Sequence, residues 1–194
     1  MKKIIAIEGM PGAGKTTSIA VLKAYSQYAC LDQLMLTNTE LEALDNEQTS
    51  RAYLEAELGR TDNLRRLTYA GKSVILDRCY ISTLAYAYAR AMTRHGEPTA
   101  FKNIVGYFES IVHQIAMPDL LIRFDISLEK SLERRKAFSH LPQYYNWFNP
   151  AFLNSLKFFY EYKMNSYYAG PVRYIDSSDL SIDQMRKTFL RLIN

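Results

Sequence analysis

The chain has 194 residues, of which 48% are hydrophobic and 23% are charged, and its formal net charge is +4. These values fit a single globular domain over residues 1–194 and argue against extended disorder. No apolar run approaches the roughly 18 residues that a membrane helix needs, and Glu8 interrupts the short apolar stretch near the N-terminus. We therefore expect a cytoplasmic protein without a membrane partner. The mild basic excess, without a block of basic residues, suits anionic small ligands as well as nucleic acid, so charge alone decides little. The motifs, rather than the charge, lead us to expect a small-molecule acceptor and not nucleic acid, and a homodimer stays open.

Short apolar runs alternate with longer helical patterns, which predicts an α/β domain with a mainly parallel sheet. The runs that predict strands are residues 3–8, 33–36, 73–77, 120–124 and 172–175. Helical patterns occupy residues 15–28, 48–69, 81–94, 99–115, 127–138 and 150–165, and a last helix follows a capping box at 181–184. Residues 140–148 read as a loop. Five strands with helical crossovers predict a three-layer fold with helices on both faces of the sheet.

A glycine-rich motif follows the first predicted strand. Residues 9–16, GMPGAGKT, satisfy G-x-x-x-x-G-K-[ST] between a strand and a helix, the context in which such a loop binds phosphate. We expect Lys15 to reach the β- and γ-phosphates of ATP and the Thr16 hydroxyl to ligate Mg²⁺. The residues predicted to bind this donor are Gly9, Pro11, Gly12, Ala13, Gly14, Lys15, Thr16 and Thr17.

A phosphate-binding loop occurs in kinases, in GTPase switches and in motor or AAA-type ATPases. A GTPase needs an N-K-x-D motif, which the sequence lacks, and a motor needs a strand that ends in Asp-Glu, which none of the predicted strands does. These absences favour a kinase.

A second signal lies at the end of the third predicted strand, VILDR. Asp77 falls at the carboxyl edge of the sheet, where open α/β sheets bind ligands, and can hold Mg²⁺. Arg78 follows it and can clamp a phosphate with its planar guanidinium. An ATP site needs one lysine and Mg²⁺, so this additional arginine indicates a second, anionic substrate.

The sequence resembles the thymidylate kinase family at these motifs. Ile-Glu-Gly precedes the loop, and residues 77–86, DRCYISTLAY, are similar to the family motif DRY-x-x-S-[ST]-L-A-Y-Q. Residues 118–134 look like its PDL…DVSPE…LxR segment. The resemblance implies a P-loop nucleoside monophosphate kinase fold with strand order 2-3-1-4-5 and a short lid at residues 139–149. It also implies that ATP and Mg²⁺ are used.

The same resemblance assigns roles to individual residues. It implies that Arg78 holds the acceptor phosphate and that Arg134 lies near the donor nucleotide, so both join Lys15 as catalytic candidates. Ser82 and Tyr86 would line the acceptor pocket, with Arg60 on the acceptor base. Two further candidates come from the chemistry, because a hydroxyl acceptor needs a general base and Glu8 or Asp77 could supply it.

The sequence also departs from the family pattern, mainly where the acceptor is recognised. Pro11 replaces an acidic residue, Ala87 replaces glutamine, and Ala56 falls where the family has a stacking aromatic. Residues 144–147 replace the lid's Asp-Arg pair, and no R-E-P-G segment follows the second strand. We therefore predict an ATP-dependent phosphotransferase with a nucleoside monophosphate, dTMP-like acceptor. A kinase for a deoxynucleoside or a non-nucleotide molecule, and a P-loop ATPase without an acceptor, remain as alternatives.

Overall fold

A computed structural model describes residues 3–23, 25, 27–37, 44–93 and 98–193, with the backbone alone at 142–144. The strands are β1 (Ile4–Gly9), β2 (Tyr28–Leu31), β3 (Ser73–Asp77), β4 (Leu120–Asp125) and β5 (Val172–Asp176). They form one sheet in the order β2-β3-β1-β4-β5, and every pair of neighbours is parallel. The predicted strand order 2-3-1-4-5 is confirmed.

In the part of the chain that the structure describes, seven α-helices connect and cover the strands: α1 (Lys15–Leu22), α2 (Asn46–Tyr69), α3 (Tyr80–Thr93), α4 (Pro98–Ile111), α5 (Leu128–Arg135), α6 (Pro150–Phe158) and α7 (Ile182–Ile193). Helices α1 and α7 contact each other, whereas α3 contacts α2, α4 and α6. Strands β1, β3 and β4 are almost wholly buried, which requires cover on both faces and fits the predicted three layers. In the described ranges, no helix is long and apolar enough to cross a bilayer.

Four helix starts in the described residues have polar caps, one of them Ser127, whose hydroxyl accepts from the Lys130 N–H at the start of α5. The Asn149 side chain accepts from the backbone N–H groups of Ala151 and Phe152, and Pro150 occupies the first position of α6, as predicted. The capping box predicted at 181–184 is confirmed, since Ser181 and Gln184 exchange side-chain to backbone hydrogen bonds. A second capping box, from Asp45 to Gln48, opens α2. These local signals were accurate because capping depends on neighbouring residues alone.

The second strand was predicted in the wrong place. Residues 33–36 contain three apolar side chains, but they lie beyond the end of the sheet, and Met35 is 74% exposed. The strand is Tyr28–Leu31, which begins at the last residue of the predicted first helix, 15–28, and otherwise lies where no element was predicted. Helix α1 ends at Leu22 instead. A four-residue edge strand shows no alternation of apolar and polar side chains here, so its pattern cannot be distinguished from a helix end.

Two other boundaries differ from the prediction. The segment expected to be a loop at residues 140–148 contains a 3₁₀ helix, Pro142–Phe148. The helix expected at 150–165 continues past α6 as a π-helical turn, Phe159–Lys163, and a 3₁₀ turn, Met164–Ser166. Arg94, the expected end of α3, lies outside the described residues. Further 3₁₀ turns follow α4 and α5, at Val112–Gln114 and Lys136–Phe138.

Candidate active site

The loop between β1 and α1 turns sharply because three glycines adopt backbone angles that other residues rarely take. Gly9, Gly12 and Gly14 have φ of +125°, +76° and +88°. A Cβ at Gly9 would lie 2.0 Å from the backbone oxygen of Phe124 on β4, so the chain can leave the sheet here only with glycine. The turn brings the loop to the N-terminus of α1, where the helix dipole favours an anion.

The Lys15 side chain folds back into this loop. Its Nζ donates hydrogen bonds to the carbonyl oxygens of Gly9, at 3.0 Å, and Met10, at 2.8 Å. Burial, with the positive charge of Arg78 nearby, lowers the pKa of Lys15 well below its ordinary value. A phosphate in the loop would oppose this shift, because an anion beside the ammonium group favours its charged form.

Thr16 and Asp77 form an oxygen pair suited to Mg²⁺. The Thr16 hydroxyl donates to Asp77 Oδ2 at 3.0 Å, whereas Asp77 Oδ1 is buried without a hydrogen-bond partner in the described structure. A buried carboxylate oxygen that lacks a donor is a favourable place for a cation. The two residues predicted for the metal therefore lie together and fit Mg²⁺. Elsewhere in the described ranges, no group of three or more His, Cys, Asp or Glu residues could hold a metal.

A cavity of about 600 Å³ opens beside the loop, and we call it the donor cavity. Its walls include Arg134 and six of the predicted donor residues, namely Pro11, Gly12, Gly14, Lys15, Thr16 and Thr17. The other two do not face it. Gly9 offers its carbonyl oxygen to Lys15, and Ala13 is fully buried with its N–H directed to the oxygen of Met10 at 3.3 Å. These two residues shape the turn.

Arg78 has a φ of +68°, the left-handed region that costs a non-glycine residue about 1 kcal/mol or more. Arg60 on α2 supports this conformation, because its Nη1 donates to the Arg78 carbonyl oxygen at 3.1 Å. The Arg78 guanidinium donates to Ser82 Oγ at 2.9 Å and to Gln33 Oε1 at 3.1 Å. Within the described part of the chain, hydrogen bonds use Nε and Nη1 of Arg78 but not Nη2. This group can still bind an anion.

A second cavity, of about 170 Å³, lies on the other side of Arg78, and we call it the acceptor cavity. It brings together four residues predicted for the acceptor: Arg60, Arg78, Ser82 and Tyr86. The residues that line both cavities are Gln33, Arg78 and Trp147. The two compartments therefore meet at Arg78, as expected for an enzyme that passes a group from one ligand to another.

Comparisons with known proteins agree with this arrangement. A family model described as an AAA domain matches residues 4–140. The thymidylate kinase of Prochlorococcus marinus strain MIT 9515 is 33% identical over 162 residues, which cover 70% of this chain and 72% of the relative. A probable thymidylate kinase of Pyrococcus abyssi is 27% identical over 72% of this chain and 73% of its own length. The chain belongs to the thymidylate kinase family. It is thus a P-loop kinase, a phosphotransferase.

Solved structures support the fold. A deoxyadenosine kinase from M. mycoides with bound dATP superposes with a TM-score of 0.76 at 20% identity, over 99% of this chain and 100% of that chain. The thymidylate kinase of Candida albicans gives a TM-score of 0.68 at 19% identity, over 99% and 91%. At these identities the likeness concerns the fold, which is that of P-loop nucleoside monophosphate kinases.

The structure places Glu8, one of the residues predicted for the acceptor, away from both cavities. Glu8 is fully buried in β1 and lines neither cavity. Oε1 accepts the N–H groups of Cys79 and Ser82, at 2.8 and 3.2 Å, and Oε2 accepts the hydroxyls of Ser82 and Tyr160, at 2.6 and 2.9 Å. The structure corrects the prediction: the carboxylate caps the first turn of α3 and positions Ser82, which holds Arg78.

The hydroxyl of Tyr160 reaches Glu8 from the π-helical turn, an irregularity that often occurs near functional sites. Burial beside Glu8 raises the pKa of Tyr160 well above its ordinary value, so the hydroxyl keeps its proton and donates. No sequence pattern predicted this contact, because 152 residues separate Glu8 from Tyr160.

Arg134 lies in the donor cavity, as predicted, but its guanidinium is engaged by the protein. Nη2 donates to the carbonyl oxygen of Ser177 at 2.6 Å, and Nη1 lies 3.4 Å from that of Gly12. Arg134 thus connects the phosphate-binding loop to the segment after β5. Its neighbour Arg135 contacts the predicted lid, donating to the carbonyl oxygen of Trp147 at 2.5 Å and facing the rings of Trp147 and Phe148. The sequence Arg134-Arg135 gives no signal that would predict which arginine faces the donor cavity and which contacts the lid.

Several residues that line the acceptor cavity were not predicted from the sequence, notably Gln33, Tyr53, Glu57 and Arg90. Glu57 is 5% exposed and lies 3.3 Å from Arg60, three residues later on α2. Burial raises the pKa of Glu57 to about 7, although Arg60 opposes the shift. The i, i+3 spacing from Arg60 was the one available signal, because it puts both side chains on the same face of the helix.

Proposed function

We propose that the protein transfers the γ-phosphate of ATP to a nucleoside monophosphate. The observation that carries the proposal is the junction at Arg78 between a donor cavity and a cationic acceptor cavity. A volume of about 600 Å³ suits a nucleoside triphosphate. Three arginines, Arg60, Arg78 and Arg90, line the smaller cavity, which favours an anionic acceptor over a neutral one.

Catalysis would depend on alignment and charge, because phosphoryl transfer asks for little covalent chemistry from the protein. Lys15 would leave its two carbonyl partners and contact the β- and γ-phosphates. Arg78 would hold the acceptor phosphate through Nη2 while Ser82 and Gln33 fix its guanidinium. Thr16 and Asp77 would hold Mg²⁺, which supplies charge neutralisation at the phosphates.

The acceptor oxygen would attack in line, forming a bond to the γ-phosphorus as the bond to ADP breaks. A phosphate oxygen is already anionic and needs no general base. This agrees with the engagement of Glu8 by four donors, which leaves it unsuited to that role. Trp147, at the edge of both cavities, belongs to the segment that would close over them and exclude water.

The alternative acceptor is a deoxynucleoside. The likeness to the deoxyadenosine kinase from M. mycoides over nearly the whole of both chains keeps this candidate open. Pro11 in place of an acidic residue also weakens the case for dTMP itself. A hydroxyl acceptor would need a base, and Asp77 is then the remaining one of the two predicted candidates.

The test is ADP release from ATP and Mg²⁺ with a panel of nucleoside monophosphates, nucleosides and unrelated metabolites. We expect release to rise at least about tenfold with one or more monophosphates. A rise with nucleosides alone would favour the alternative. The same rate with and without every acceptor would overturn both and indicate an ATPase without a small acceptor.

A further inference from the structure

Glu57 holds a buried carboxylate in the wall of the acceptor cavity. Gln33, Arg78 and Trp147 also border the donor cavity, whereas Glu57 and Tyr53 border the acceptor cavity alone. Phosphoryl transfer requires the acceptor's phosphate to lie at the shared boundary. The base of a nucleotide would therefore extend away from that boundary into the rest of the acceptor cavity, where the wall formed by α2 holds Glu57 and Tyr53 one helical turn apart.

Among the residues that the structure describes, little of the hydrogen-bond capacity of Glu57 is used. Its two oxygens lie 3.3 and 3.5 Å from a single nitrogen, Nη1 of Arg60. That nitrogen also donates to the Arg78 carbonyl oxygen at 3.1 Å, and Nη2 donates to the Asp32 carbonyl oxygen at 2.8 Å. A carboxylate can accept about four hydrogen bonds, so Glu57 presents acceptor positions to whatever fills the cavity.

We propose that Glu57 determines base specificity and that the acceptor carries a base with an exocyclic amino group: cytosine, adenine or guanine rather than thymine or uracil. The inference rests on the proposed function, since it concerns the acceptor site of that reaction. It names a substrate class that the sequence resemblance does not suggest.

The chemical reason is the match between donors and acceptors. A buried carboxylate accepts hydrogen bonds and loses free energy when it faces another acceptor. An exocyclic amino group offers it a donor. Thymine and uracil instead present two carbonyl oxygens on either side of one ring N–H, so at least one oxygen would face the carboxylate. Sites built around a buried polar group reject ligands that leave it unpaired much more strongly than apolar sites reject a change of size.

Several charged or titratable groups surround this carboxylate, and they determine its ionisation. Arg60 on the same helix favours the charged form, while burial and Glu8 on β1 favour the neutral form. The other titratable or charged residues in the described lining of the cavity are Tyr53, Arg78, Cys79, Tyr86 and Arg90. With its pKa raised to about 7, Glu57 carries its charge fully only above neutral pH, so base discrimination is best measured near pH 8.

The experiment compares ligands that differ by the amino group, at pH 8, in wild type and Glu57→Gln. The pairs are dCMP with dUMP, and dGMP or dAMP with dIMP. We expect wild type to prefer the amino-bearing member of at least one pair by about tenfold or more in kcat/KM. In Glu57→Gln this ratio should fall at least about tenfold, because the amide N–H of glutamine can donate a hydrogen bond to a carbonyl oxygen of the base.

Glu55→Gln is the matched control, since it removes the same charge from an exposed position two residues earlier on α2. It should leave the ratios unchanged. Binding without turnover can be followed by the fluorescence of Trp147, the single tryptophan, at the edge of the acceptor cavity. Thermal melting reports whether Glu57→Gln folds, and the wild-type ligand pairs test the proposal without any variant.

Two results would overturn the inference while leaving the phosphotransferase reaction intact. The first is a wild-type preference for dUMP, dTMP or dIMP over the amino-bearing bases. The second is an equal loss for every base in Glu57→Gln, which would place the carboxylate on the sugar or in the fold. If no nucleotide or nucleoside is turned over or changes Trp147 fluorescence, the inference and the proposed function both fail.

Discussion

The donor and acceptor cavities share Arg78 but are built in different ways. On the donor side, the phosphate-binding part is one continuous loop and helix start, whose shape is imposed by glycine backbone angles and a close approach to β4. Residues from other segments, such as Arg134 and Trp147, complete the walls of the donor cavity. The acceptor side is assembled from side chains on α2, α3 and the segments after β2 and α5. Changes on the donor side should therefore abolish the reaction for every acceptor. Changes on the acceptor side should alter which ligand is used.

The largest expected effect is on the donor side, with Lys15→Ala. Removing the ammonium group takes away charge that stabilises the transition state, and loss of such a group costs about 10² to 10³ in kcat or more. The fall should be similar for all acceptors. Steady-state ADP release, with circular dichroism as the control for folding, checks it. Near-normal turnover in a folded variant would contradict the role of the loop.

Arg78→Lys should have the next largest effect, and it should depend on the acceptor. Lysine keeps the charge but cannot reproduce the planar guanidinium that Ser82 and Gln33 hold in place. With a monophosphate, we expect KM for the acceptor to rise about tenfold or more while ATP affinity, measured alone, changes little. With a nucleoside, the loss should fall on kcat. Unchanged kinetics for every acceptor would show that Arg78 does not bind the acceptor and has only a structural role.

The contrast between the two cavities also explains what could be predicted from the sequence. The phosphate-binding loop and the pairing of Thr16 with Asp77 follow from local patterns and from the rule that parallel strands end at one edge, whereas the strand order came from the family resemblance. Three features could not be predicted from such patterns: the displaced second strand, the position of Glu8 and the cavity wall at Glu57. Glu8 is 71 to 152 residues from its partners, and contacts at such separation leave no periodic signal in one chain.

A third prediction concerns stability and tests the environment of Glu57. Its pKa is about 7 when folded and 4.5 when exposed, so the folded state binds the extra proton. The stability associated with this residue is full below pH 4.5 and is lost as the pH rises to about 7. Glu57→Gln, which cannot ionise, should therefore gain about 2 to 3 kcal/mol relative to wild type between pH 5 and pH 8.

Denaturant unfolding at both pH values measures this difference, with Glu55→Gln as the control. A constant difference between wild type and Glu57→Gln across that range would mean that Glu57 ionises normally and is hydrated. In that case water would still solvate the carboxylate, and a base that offers it no donor would carry little penalty. The acceptor cavity would then not select its ligand through Glu57.

The smallest expected effect is in the segment that borders both cavities. We expect residues 139–149 to act as a lid that is ordered when ATP and acceptor are bound together. Arg135 already contacts the Trp147 carbonyl oxygen and the rings of Trp147 and Phe148 from α5. Ligands in both cavities would add contacts to Trp147, which lines both of them. Hydrogen exchange in this segment should slow severalfold with both ligands and less with either alone. Equal exchange in all states would mean that the segment is a fixed wall, and the acceptor cavity would then have to admit its ligand without any closing motion.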